Sequence, residues 1–222
     1  MSENSSARDA VLGRIREALA DVPADEPKTS QWTYGRPTAM PDVLDRFVER
    51  VADYEATVVR LHDGSDDAIG RALVEGLATI GVHDVVVPPG LPQPWRQAIA
   101  DAGVEVVDDD PPLSRERLNA IGGVVTAARV GAAESGTIML DHAADQGRRA
   151  LTLVPDVHVC VVRADQVVSD VPEAVERLQD SVAQRRPITW VSGPSATSDI
   201  ELKRVEGVHG PRTLYVIVAG RP

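Results

Sequence analysis

Apolar positions along the chain recur with two periods, and they change over at regular intervals. From Asp42 to Tyr54, the residues Val43, Leu44, Phe47, Val48 and Val51 share the inner face of a helix. Ala56 to Leu61 reads as a strand. Ser65 to Ile80 reads as a helix, capped by Ser65 and ended near Gly81. His83 to Val87 is a strand stopped by Pro88-Pro89-Gly90, and Gln93 to Ala102 is a helix. The strand Val104 to Val107, the short helix Leu113 to Ala120 and the strand Gly123 to Thr126 complete the first half. This alternation predicts parallel βαβ units. In the second half, Thr137 to Asp141, Ala150 to Val154 and Val157 to Val162 are apolar runs with short polar gaps, which predict antiparallel or mixed pairing. A helix over Pro172 to Val182 and strands over Ile188 to Ser192 and Thr213 to Ala219 follow. The expected fold is α/β: an open mixed sheet with helices on both faces.

Ahead of this pattern lies an amphipathic helix over Ala7 to Ala20, with Val11, Leu12, Ile15 and Leu19 on one face. The stretch from Asp21 to Pro41 carries four prolines and few apolar residues, as a linker or draped arm does. Two parts are therefore expected: an N-terminal helix with a Pro-rich arm over 1–40, and one α/β domain over 41–222.

Composition narrows the function. A formal charge of -11 argues against sequence-independent nucleic-acid binding, which needs clustered cations. The only lysines are Lys28 and Lys203, and Lys203 sits in a charged stretch where solvation is its expected role. One cysteine, Cys160, excludes an intrachain disulfide and an iron–sulfur cluster held by this chain alone, since clusters take about four thiolates. Within the apolar run His158–Val162 it reads as a small buried hydrophobe. His62, His83, His142 and His158 show no metal-ligand spacing, so no metal is expected. The polar N-terminus and the lack of a long apolar run point to a soluble, cytoplasmic protein.

Two polar islands interrupt the apolar pattern. Glu134-Ser135-Gly136-Thr137 precedes one strand, and Gly193-Pro194-Ser195-Ala196-Thr197-Ser198-Asp199 runs on to Gly207-Val208-His209-Gly210-Pro211. A Glu among small residues serves either as an exposed nucleophile or base, or as a turn residue. Gly131-x-x-x-x-Gly136-Thr137 is no P-loop, because the Lys is absent and a strand follows. In the second island Ser198 and Glu201 have capping-box spacing, so the loop reads as the start of a helix. The alternative is that Ser195, Thr197 and free backbone N–H groups hold a carboxylate or phosphate. Asp199 and Glu201 would compete electrostatically with such an anion. His209, between glycines, serves either as a structural hydrogen-bonder or as an acid–base group. In an open α/β sheet ligands bind outside the carboxyl ends of the strands, which is where both islands are expected.

Taken together, Glu134-Ser135-Gly136-Thr137, Gly193-Pro194-Ser195-x-Thr197-x-Asp199-Ile200-Glu201 and Gly207-Val208-His209-Gly210-Pro211 resemble the motifs of the LUD-domain family, over roughly Phe47 to the C-terminus. The resemblance implies a fold similar to the sugar-isomerase and CoA-transferase superfamily (NagB/RpiA/CoA-transferase-like). It also implies a part in oxidising L-lactate to pyruvate beside two partner proteins, at least one of them carrying iron–sulfur clusters. In that setting Glu134 and His209 are the candidate catalytic residues. Gly136, Thr137, Gly193, Ser195, Thr197, Asp199, Glu201 and Gly210 are the candidate ligand-binding ones. No cofactor is expected on this chain: two electrons leave lactate, and a chain with one cysteine and no dinucleotide loop is not their acceptor. An accessory or ligand-binding component is the first reading. The second is a free-standing acyl-transfer enzyme with Glu134 as nucleophile, since Glu134-Ser135-Gly136 is similar to the Glu-x-Gly context of CoA-transferases.

Overall fold

The computed structural model describes residues 3–21, 37–194, 196–198, 204–206 and 210–221. The chain divides into two compact units, residues 1–34 and 35–222. The first contains α1 (Glu3–Ala18).

The second unit begins with α2 (Val43–Asp53), β1 (Thr57–Leu61), α3 (Asp66–Ile80), β2 (Asp84–Val87), α4 (Gln93–Asp101), β3 (Glu105–Asp108), α5 (Arg115–Ala120) and β4 (Gly123–Ala127). It continues with β5 (Val130–Ala132), β6 (Thr137–Leu140), β7 (Val157–Arg163), β8 (Val167–Val168), α6 (Val171–Arg177), α7 (Gln179–Ala183), β9 (Thr189–Val191), β10 (Ala196–Ser198), β11 (Arg204–Glu206) and β12 (Thr213–Ala219). Local signals set many of these limits. Ser65 accepts a hydrogen bond from the Ala68 N–H at the start of α3, and Gly81, at φ 77°, ends it in the left-handed region.

Six strands form one sheet in the order β1-β12-β7-β4-β2-β3, and every pair in it is parallel. On one face α3 and α4 bury Leu73, Leu77, Trp95 and Ile99 against Val85, Val125, Val159 and Ile217. On the other, Leu44, Phe47 and Val51 of α2 and Ile138 and Leu140 of β6 pack on Cys160, Val162, Val216 and Val218. Leu118 of α5 and Leu151 cover Val86 and Val124 on that second face. The fold is thus α/β with helices on both faces. Antiparallel pairing is confined to smaller sheets: β8-β5-β6-β9, in which β6 pairs antiparallel with β5 and β9, and the ribbon β10-β11.

Four expectations are corrected. Residues 157–162, read as part of an antiparallel or mixed array, form β7 at the centre of the parallel sheet, between β12 and β4. Its side chains are buried on both faces, so the continuous run Val157–Val162 is the mark of an interior parallel strand. The apolar run 150–154 is a 3-10 turn over Arg149–Thr152, with Leu151 fully buried in the core and Ala150 and Val154 packed at its margin. Ser198, expected to be a helix cap, is a strand residue. It lies in β10, which pairs Ala196 with Glu206 and Ser198 with Arg204. The capping-box spacing is a local pattern, and at Ser198 strand pairing with Arg204 prevails over it. The helix expected over 172–182 is divided at Leu178 into α6 and α7. No helix among the described residues is long and apolar enough to cross a membrane.

Candidate functional site

The first island is the turn between β5 and β6. Glu134 is exposed at its tip, with its N–H on the Ser169 carbonyl at 2.9 Å. Gly136 has φ 61°, and a Cβ there would come within 2.6 Å of the Arg50 backbone in α2. Ser135 Oγ lies 2.8 Å from Thr137 Oγ1, which lies 2.9 Å from Ser192 Oγ at the end of β9. Gly193 follows at φ 85°, and a Cβ on it would meet Tyr54 Cβ at 2.5 Å. Both islands are therefore seated against the end of α2, and a chain of three hydroxyls joins them.

A cavity of about 260 Å³ opens beside this junction. Thr189 to Pro194 form one wall, Gly210, Pro211 and Leu214 another, and Thr152, Leu153 and His158 close it. Gly193 and Gly210, from two separated motifs, thus share one cavity. Glu134, Gly136 and Thr137 do not line it; Thr137 reaches it through Ser192. Thr197 lies in β10. Ser195, Asp199, Glu201 and His209 lie outside the described residues. The location also differs from expectation. His158 and Leu214 are the second residues of β7 and β12, so the cavity sits at the amino ends of these strands rather than the carboxyl ends. One wall comes from β9 of the small sheet and the turn after it, and the others from segments that lead into β7 and β12, so the cavity gathers at the entrances of these strands.

The sequence pattern passed over His158. It is 1% exposed, and its Nε2 is 2.8 Å from Thr126 Oγ1 on β4. Burial holds its pKa down at about 4, so the imidazole is neutral at pH 7. The available signal was a polar residue in each of two apolar strands, Thr126 and His158. Among the described lining residues there is no Asp, Glu, Lys or Arg. The cavity offers hydroxyls, backbone and a neutral imidazole, suited to hydrogen-bonding a small polar group.

This burial has a measurable consequence. In the unfolded chain His158 takes up a proton below its ordinary pKa of 6.5, whereas the folded chain resists until about 4. Stability is therefore complete above 6.5 and falls as the pH drops toward 4, by about 2 kcal/mol at pH 5. His158→Asn should flatten the decline in melting temperature between pH 7 and 5. An unchanged slope would mean that His158 titrates normally.

The architecture is that of an α/β protein with a small cavity at the amino ends of two interior strands of the parallel sheet, lined in part by motif residues. The LUD domain family model matches residues 96–219, a span that contains all three motifs, and the chain belongs to this family. Lactate utilization protein C of Deinococcus radiodurans is 45% identical over 212 residues, covering 95% of this chain and 91% of that protein. Lactate utilization protein C of Geobacillus thermodenitrificans is 26% identical over 242 residues, covering 96% and 97%. Among solved structures, a DUF162 family protein from Deinococcus radiodurans superposes with a TM-score of 0.70 at 41% identity, covering 83% of this chain and all of that one.

Proposed function

We propose that this chain serves lactate utilisation in the cytoplasm, as a ligand-binding accessory component of an iron–sulfur-dependent system that oxidises L-lactate to pyruvate. The observation that carries the reading is the near full-length similarity to Lactate utilization protein C of Deinococcus radiodurans. The chain's own chemistry supports the accessory role. Oxidation of lactate releases two electrons and two protons, and Cys160, the single cysteine, is fully buried with its thiol pushed up to about 12. It offers no thiolate to a cluster, so the clusters belong to partner proteins. In this reading the motif cavity, with Gly193 and Gly210 in its lining and Thr137 joined to it through Ser192, takes a small carboxylate or phosphate group, and Gly136, Ser195, Thr197, Asp199 and Glu201 are the further motif residues proposed to serve it. His209 is the proposed acid–base residue of the same motif set.

The purified chain should be inert with L-lactate alone and should raise lactate-dependent dye reduction when added to its cluster-bearing partners. Ser195→Ala and His209→Ala should impair that gain by about tenfold or more with little change in melting temperature. Oxidation by the partners at full rate without this chain would refute the role.

A second reading rests on the exposure of Glu134 at the turn tip. Its carboxylate would exchange with an acyl-CoA, forming a glutamyl–CoA thioester and releasing the free acid. Mass spectrometry would detect this adduct, and Glu134→Gln would abolish it; an unmodified chain excludes the reading.

A further inference from the structure

At the carboxyl ends of the parallel strands lies a second cavity, of about 240 Å³, which shares no lining residue with the motif cavity. Adjacent strands diverge here. β2 leads to α4 on one face, while β4 leads into the small sheet on the other, and ligands of α/β folds favour such a divergence. The loop 141–147 lies across it. Its Asp145 carbonyl accepts from the Ala127 N–H at 3.1 Å and its Ala144 carbonyl from the Gly90 N–H at 2.9 Å.

The lining is strongly polar, and most of it is already committed. Asp141, 1% exposed, accepts from Ser181 Oγ at 2.6 Å, Arg186 Nη1 at 3.2 Å and the Ala143 N–H at 3.2 Å. Gln146 accepts from the Asp141 N–H, and Gln166 spans the Arg163 N–H and the Ala128 carbonyl. Two groups stand apart. Arg129 reaches a carboxylate only through Nε, at 3.8 Å from Asp141, which is too long for a hydrogen bond. The Asp145 carboxylate receives a single side-chain bond, from Gln146 Nε2 at 3.2 Å. Its burial, with the repulsion of Asp141, outweighs that bond, a bond from its own N–H and the attraction of Arg129, so its pKa is raised. A prearranged polar wall thus presents one guanidinium that is paired with Asp141 by charge but makes no side-chain hydrogen bond among the described residues, and one carboxylate whose burial is not fully offset.

We infer that this cavity is a binding site for a small monocarboxylate carrying a hydrogen-bond donor on the adjacent carbon, with the ligand carboxylate forked on Arg129 and the donor on Asp145. A guanidinium matches a carboxylate with two parallel bonds. Asp141, Asp145 and Asp180 against Arg129 and Arg186 make the cavity unfavourable for a dianion. His142 connects the two cavities. It bonds Thr189 of the motif cavity at 2.8 Å through Nε2, and its chain neighbours Asp141 and Ala143 line the polar one. The site goes beyond the proposed function and is decided by binding to the isolated chain, whether or not reconstitution yields oxidation.

The test titrates the full chain with L-lactate, L-alanine and propionate, which present a hydroxyl, an ammonium and no donor, while amide NMR shifts are followed. Lactate or alanine should bind at least about tenfold more tightly than propionate, with shifts centred on residues 128–129 and 141–146. Whichever binds identifies the donor. Arg129→Gln should weaken binding by about tenfold or more and lower the melting temperature only slightly, because Arg129 is half-exposed and Arg186 and Ser181 still hold Asp141. Asp145→Ala should reduce the preference over propionate to near unity. Three results would each overturn the site: equal binding of all three acids, shifts centred on residues 189–194, or no saturable binding by any of them. If Asp145→Ala does not fold, Arg129→Gln and the ligand series still decide.

Discussion

Asp141→Ala is expected to lower the stability of the folded chain by about 3 kcal/mol. The carboxylate sits at the end of β6 and joins the small sheet to α7 through Ser181 and to the following segment through Arg186. Burial raises its pKa, but the Ser181 and Ala143 bonds and the charges of Arg129 and Arg186 outweigh this, and the net direction is down. Removing it leaves the buried Ser181 hydroxyl without its acceptor and separates two arginines from their counter-charge. The loss stays at the lower end for a buried ion pair because Arg129 and Arg186 keep 45% and 37% of their side-chain surface in water. Since the folded pKa is depressed, the contribution is present above the ordinary value of 3.8 and is lost as the pH falls through the lower folded value. Urea unfolding at pH 7 should show the deficit, and the difference from the parent chain should shrink in strong acid. A deficit below about 0.5 kcal/mol would show that solvent already screens the cluster.

Phe47→Ala should cost about 3–5 kcal/mol and lower the melting temperature by roughly 10 °C. The ring is completely buried between α2 and the second face of the sheet, and it lies so close over β5 that a Cβ at Gly131 would be 2.8 Å from its edge. It fixes the distance between α2 and the small sheet. Gly136 and Gly193 are seated against the end of that same helix. Loss of the ring should therefore loosen the Thr137–Ser192 junction as well as the core, and amide exchange at residues 134–137 and 192–193 should accelerate. Val182→Ala, at a side chain 59% exposed, should change stability by no more than about 0.5 kcal/mol. Equal effects of the two changes would mean that Phe47 is not packed as described.

The first half of the fold was legible because its signals are local. Ser65 and Gly81 delimit α3 within one residue of the expected span, and the inner face of α2 carries the anticipated Leu44, Phe47 and Val51. The second half was less legible because short apolar runs look alike. Val157–Val162 and Ala150–Val154 are similar in composition, yet one is a central strand and the other a 3-10 turn. What separates them is the number of faces covered, which depends on distant residues. At β10 a local capping pattern yielded to pairing with β11.

From the sequence alone came the α/β class, the acidic net charge, the motif residues and the single cysteine, since periodicity, charge and residue counts act within the chain's own neighbourhood. Only the tertiary structure decided that Thr126 meets His158 across 32 residues, and that Thr137 meets Ser192 across 55. It alone decided that the motif cavity lies at the amino ends of the strands while an arginine–aspartate cavity occupies the carboxyl ends. Such encounters follow from strand order and from which faces are covered. Both are set by burial of the whole core and leave no trace in any short stretch of residues.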